Sequence, residues 1–377
     1  MAQPTTVSRA VAAVAAGAVL VALAACTGST APDGRPDAVI QMERNPAFPR
    51  FSTDPDVPVI PNLVYGRADD GSRLLLDVCL PSDDTTGTSP AAEQTQAPAT
   101  DAPGTEGAEG GVATPDPATP DPADPKGAGS PSAPDRADAA PGSRSGARAA
   151  VLMVHGGSWE RGDKATIAYR AVCQWLARSS GMVVFNADYR LAPRFPYPAA
   201  IADLRTAVRW IREPTQQRRF DVDPDRVGAF GGSAGGNLVA LLGTEGRGRL
   251  DAGSRVAAVV ELSGPIDLRG EDIAPVLRTA QLSYLGCASF DQCRTAAPAS
   301  ASTWIDRSDP PFLVAQSTDE VIPLSQSAGF VEKLRTAGVA TTFVQTVGTN
   351  HSIAQLPGNP RLRARIVQFL RTNLAAG

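Results

Sequence analysis

The chain has 377 residues, of which 42% are hydrophobic and 20% charged, with a net charge of −4 and a pI near 5.4. That balance excludes a basic nucleic-acid binder, and no basic stripe or stacking motif appears. Two histidines and five cysteines, with no zinc-ligand spacing among them, give no sign of a metal site.

The N-terminus carries one basic residue, Arg9, and then an apolar stretch over 10–25. A bilayer span needs about 20 apolar residues, so this stretch fits a cleaved secretory signal instead. Its ending, Leu23-Ala24-Ala25-Cys26, resembles a bacterial lipobox, in which Cys26 becomes the lipidated N-terminus of the mature protein. Cleavage at an ordinary small-residue site, leaving Cys26 as a thiol, is the alternative. The expectation is an exported protein with a lipid anchor on the outer face of the cell membrane. Residues 26–58 read as a flexible tether and 59–377 as a single domain.

Residues 73–80 form a strand. Residues 82–146 are then dominated by Pro, Ala, Gly, Ser, Thr and acids, with Val112 as the sole large aliphatic and no aromatic. Such a segment buries too little apolar surface to offset its chain entropy and reads as disordered. It lies between two strands, so it is an enlarged loop, tolerable because closure entropy grows only logarithmically with length. Its composition leaves O-glycosylation and contact with cell-wall polymers open.

From 147 onward, strand-like runs (149–154, 181–187, 225–230, 256–262, 311–316 and 341–347) alternate with helical periodicity. Helix 198–213 places Ile201, Leu204, Val208 and Ile211 on one face, and helix 359–374 groups Leu362, Ile366, Phe369 and Leu370. Alternation of this kind predicts an α/β fold, with a mostly parallel central sheet and helices on both faces. With signal, tether and insertion set aside, roughly 250 to 280 residues remain, enough for one α/β domain. The irregular stretch 268–309 is the expected cap, with Leu282, Tyr284, Leu285 and Trp304 as wall residues.

The chemistry gathers at the ends of those strands. Gly231-Gly232-Ser233-Ala234-Gly235 joins a strand to a helix, the setting in which G-x-S-x-G exposes a nucleophilic serine on a strained turn. Gly231 and Gly235 supply the bareness that turn demands. A serine hydroxyl needs a base, usually histidine, and the chain offers His155 and His351. His155 begins His155-Gly156-Gly157-Ser158 after strand 149–154, so it reads as a residue that fixes a loop of bare N–H groups. Gly156, Gly157 and Ala234 would then form the oxyanion hole, where losing one donor typically costs about 10²–10³ in rate. His351, after strand 341–347, is left as the base. Asp319, first after strand 311–316, is chosen as the acid that orients it; Glu320 and Asp267 are the rivals. Cys287 and Cys293 lie close together in a loop-rich segment and are expected to bridge, whereas Cys79 and Cys173 are left open between pairing and burial as free thiols.

These motifs together resemble the α/β-hydrolase superfamily, in its branch of acetyl-esterase-like and hormone-sensitive-lipase-like carboxylesterases. The residues that carry the likeness are His155–Trp159, Asp188-Tyr-Arg-Leu-Ala-Pro193, Asp223-Pro-Asp-Arg226, Gly231–Gly236, Asp319–Pro323 and His351, over roughly 60–80 and 147–377. The resemblance implies ester hydrolysis through an acyl-enzyme, with Ser233, Asp319 and His351 as triad and Gly156, Gly157 and Ala234 as oxyanion donors; short- to medium-chain esters and no cofactor are the expectation. Several positions depart from the pattern: Ser158 stands for a third glycine, Gly232 for an acid, Gln316-Ser317 for His-Gly, and Arg194 for an acid. Amide or formamide hydrolysis by the same groups, and a silent binding protein on the same scaffold, are the alternative readings.

Overall fold

The computed structural model describes residues 51–81, 146–270, 272 and 274–375. The expected signal, the lipidation site Cys26, the tether up to residue 50 and the insertion up to residue 145 lie outside the described residues.

Eight strands form one sheet: β1 (Val59–Arg67), β2 (Arg73–Cys79), β3 (Arg148–Val154), β4 (Val183–Ala187), β5 (Val222–Gly232), β6 (Ala258–Leu262), β7 (Phe312–Ser317) and β8 (Thr341–Thr346). Their order is β1-β2-β4-β3-β5-β6-β7-β8. β1 and β2 are antiparallel, as are β2 and β4, and every later pairing is parallel. This is the α/β-hydrolase fold, with strands within a few residues of those expected. β1 is the exception: Pro61 and Asn62 break its alternation, and its register with β2 shifts twice.

Seven α-helices flank the sheet among the described residues: α1 (Ile167–Ser180), α2 (Ala199–Ile211), α3 (Pro214–Phe220), α4 (Ala234–Thr244), α5 (Arg278–Leu285), α6 (Leu324–Thr336) and α7 (Pro360–Asn373). The period-2 alternation of β3 sorts them. Ala150, Leu152 and Val154 face the core shared with α2, α4 and α6, while Ala149, Val151 and Met153 face the core under α1 and α7. Both faces are therefore covered, as a parallel sheet requires.

One reading is corrected here. Residues 51–58 are not a free tether, because Gln174 of α1 accepts from the Asp54 N–H at 3.0 Å and donates to the Asp54 and Val57 carbonyls. Phe51 also packs on Trp175. Between the two states left open for Cys79 and Cys173, the structure has them bonded to each other, tying β2 to α1. The expected Cys287–Cys293 bridge is also present.

Candidate active site

β5 runs straight into the turn that carries Ser233. Ser233 sits at φ 57° and ψ −128°, a conformation that L-residues hold only when the surroundings impose it. The imposition is local: a Cβ on Gly231 would lie 2.3 Å from Gly235 O, and one on Gly235 would lie 2.3 Å from Val154 O. The Ser233 N–H donates to Leu262 O of β6 at 2.9 Å, and α4 begins at the next residue. The turn thus presents the hydroxyl at a helix N-terminus, where first-turn N–H groups lack intrahelical partners and favour negative charge.

His351, on the loop after β8, places Nε2 2.8 Å from Ser233 Oγ. Its Nδ1 forms a short hydrogen bond to Glu320 Oε2, and the Glu320 side chain is fully buried. Asp319, the expected acid, does not reach the histidine. The β7–β8 pairing continues past the strand ends, with Thr318 N–H donating to Thr346 O and Asp319 N–H to Gly348 O. That pins Asp319 with its side chain exposed, where it accepts from Thr318 Oγ1. Glu320, one residue further on, turns inward. Asp267, the other rival, is occupied by Arg269 and Ser302.

The loop after β3 is braced as expected but donates differently. His155 is buried, stacks on Tyr189 with centroids 4.3 Å apart, and places Nδ1 2.8 Å from Gly156 O. Burial drives its pKa down to about 4, so the ring is neutral near pH 7 and acts as a prop. The Gly156 N–H is already committed to Tyr169 Oη at 2.6 Å. That leaves Gly157 and Ala234, of the three expected oxyanion donors, with N–H groups that no described acceptor takes up.

The Gly232 departure has a steric cause. A Cβ there would come 2.1 Å from Ser352 Oγ, so the residue after His351 occupies the space of a side chain before Ser233. Ser263 closes the same corner, since its hydroxyl accepts from Ser352 N–H at 3.2 Å and Gln355 Nε2 at 2.8 Å. The end of β6 thereby grips the Ser233 turn through Leu262 and the His351 loop through Ser263.

Glu261, beside them on β6, is fully buried and accepts from Gly264 N–H, while its Oε2 has no described partner. Desolvation pushes its pKa from 4.5 up to about 8, and the Glu320 carboxylate adds to the shift. The folded carboxyl therefore keeps a proton that the unfolded one gives up near 4.5. Its stabilisation is complete below that value and is lost as pH rises through about 8. Glu261→Gln is expected to hold its Tm across this interval while the wild-type Tm falls; parallel Tm profiles would contradict the assignment.

The cap is only partly a wall. Tyr284 is buried and stacks on Trp159 with centroids 4.5 Å apart, and Leu285 joins the main core. Leu282 is half-buried, whereas Trp304 is exposed and donates its Nε1–H to Pro298 O. Among the described residues, no group of three His, Cys, Asp or Glu side chains is placed to hold a metal ion.

In sequence and in fold the chain is similar to known esterases. The sequence model of the BD-FAE family matches residues 139–334. The chain is 32% identical over 222 residues to Esterase LipC of Mycobacterium tuberculosis, covering 55% of this chain and 54% of that protein. It is 37% identical over 95 residues to the arylacetamide deacetylase of Bos taurus, covering 25% and 24% respectively. The chain thus spans about half, or less, of the length of these curated relatives. Among solved structures, a truncated carbohydrate esterase from gut microbiota superposes with a TM-score of 0.59 at 18% identity, over 86% of this chain and all of that one. An esterase from Pyrobaculum calidifontis gives 0.58 at 20% identity over 89% of each chain.

Proposed function

The chain belongs to the BD-FAE family, and on that footing we propose that it is a serine carboxylesterase acting through an acyl-enzyme on Ser233. The single observation that carries this reading is the relay of Ser233 Oγ, His351 Nε2 at 2.8 Å, and Glu320 behind Nδ1. His351 takes the hydroxyl proton as Oγ attacks the ester carbonyl, and the oxyanion forms against the N–H groups of Gly157 and Ala234. The imidazolium, stabilised by Glu320, then protonates the departing alcohol. Water, deprotonated by His351, attacks the acyl carbon, and Ser233 is released with its proton restored.

The substrates proposed are small esters of short- to medium-chain acids. Trp159, directly beyond the oxyanion loop, is packed on Tyr284 of the cap, so side chains already fill the room beside the loop. Turnover of nitrophenyl esters is expected to be greatest from acetate to about octanoate and to fall beyond. A maximum at long chains would contradict the length reading. Hydrolysis of nitroanilides, with no ester accepted, would replace the ester reading with the amide one.

The proposed location is the outer face of the cell membrane, with the chain anchored through lipid on Cys26. The support is the Leu23–Cys26 ending after an apolar stretch. Wild-type protein is expected to enter the detergent phase on phase separation and Cys26→Ala the aqueous phase. Aqueous partition of both would contradict the anchor.

A further inference from the structure

The oxyanion loop carries a charged group for which the reaction above has no use. The N–H groups of Glu160 and Arg161 both donate to Gly157 O at 3.1 Å, closing a turn in which φ stays positive through Gly157, Ser158 and Trp159 at 119°, 54° and 59°. The turn that aims the Gly157 N–H therefore also fixes where the Arg161 side chain departs. That side chain lies along the loop, since a Cβ on Gly157 would come 3.3 Å from Arg161 Cγ. A Cβ on neighbouring Gly156 would be 3.1 Å from Ser233 Cβ, so the loop itself rests on the nucleophile.

Arg161 is half-buried, its Nε is shut off from solvent without an acceptor, and no hydrogen bond or ion pair to its guanidinium is found among the described residues. The two Nη groups are left on the accessible side. Other shielded arginines of the domain have acceptors: Arg190 has Asp203, Arg226 has Asp223, Arg212 has the carbonyls of Pro224, Leu250, Gly253 and Arg255, and Arg255, whose Nε also lacks one, has those of Gly243, Glu245, Gly246 and Ser308 on its Nη groups. A guanidinium held in a defined place without a partner suits a planar anion, and a carboxylate takes two parallel N–H bonds from it.

We propose that Arg161 is a specificity-determining residue that pairs with a carboxylate on the ester substrate, so that the preferred substrates are esters carrying an anionic group near the scissile carbonyl. The proposal rests on the esterase reading. Two anionic probes separate the sides of the ester: nitrophenyl hemisuccinate carries the carboxylate on the acyl group, and 4-butyryloxybenzoate carries it on the alcohol. Neutral references are nitrophenyl butyrate and phenyl butyrate. The readout is the anionic-to-neutral ratio of kcat/KM, measured on one preparation of full-length protein so that any loss of folded enzyme cancels. Arg161→Gln is expected to lower this ratio about tenfold or more for one of the two probes, chiefly through KM, with Arg161→Lys recovering part of it. Both ratios staying within about twofold of wild type would overturn the proposal. Failure of wild-type protein to cleave any of the four esters would instead overturn the esterase reading, and this inference with it.

Discussion

Glu320→Gln is expected to lower kcat/KM toward a nitrophenyl ester by roughly 10⁴-fold, and Asp319→Asn by no more than about threefold. The two residues are adjacent and chemically alike, yet only Glu320 touches the base. Its carboxylate accepts from His351 Nδ1 and so leaves Nε2 free to take the Ser233 proton. A glutamine amide can offer an N–H to Nδ1, which holds the ring in the wrong tautomer, and it carries no charge to stabilise the imidazolium. Asp319 faces solvent, bonded to Thr318, and contributes nothing that asparagine lacks. A large loss at Asp319 with a small one at Glu320 would reverse the assignment.

Ser233→Ala is expected to cost more, about 10⁶-fold in kcat, with little change in KM. Removing Oγ leaves His351 with no nucleophile to activate, while the N–H groups of Gly157 and Ala234 remain. Those donors and substrate binding alone sustain a residual rate of about 10³–10⁴ over water in comparable enzymes. The fold should tolerate the change. The turn is set by Gly231, Gly235 and the Ser233 N–H bond to Leu262 O, none of which involves the hydroxyl. Turnover within about a hundredfold of wild type would mean that Ser233 is not the nucleophile.

What the sequence made legible was what local sterics or scarcity decides. Gly231 and Gly235 are demanded by a turn too tight for a Cβ, and His351 follows from having two histidines and a structural use for one. The acid was not legible, because Asp319 and Glu320 differ by one position. Which of them turns inward depends on how far the β7–β8 pairing runs past its ends. The use of the Gly156 N–H was not legible for a similar reason: nothing local reveals that Tyr169, thirteen residues on, takes it up. The Cys79–Cys173 bond joins residues 94 apart, and only the sheet order brings β2 beside the strand that follows α1. β1 was hidden by Pro61 and Asn62, which interrupt a pattern that its irregular pairing tolerates. For the acid, the Gly156 N–H and the Cys79–Cys173 bond, the deciding contact lies outside the local sequence.

The acyl-enzyme is tested most directly by covalent capture. Full-length protein treated with a fluorophosphonate should gain the mass of one phosphonyl group, and peptide mapping should place it on Ser233. Ser233→Ala should gain nothing, and Glu320→Gln should label far more slowly. Folded wild-type protein that stays unmodified, or that carries the group on another residue, would contradict Ser233 as the nucleophile.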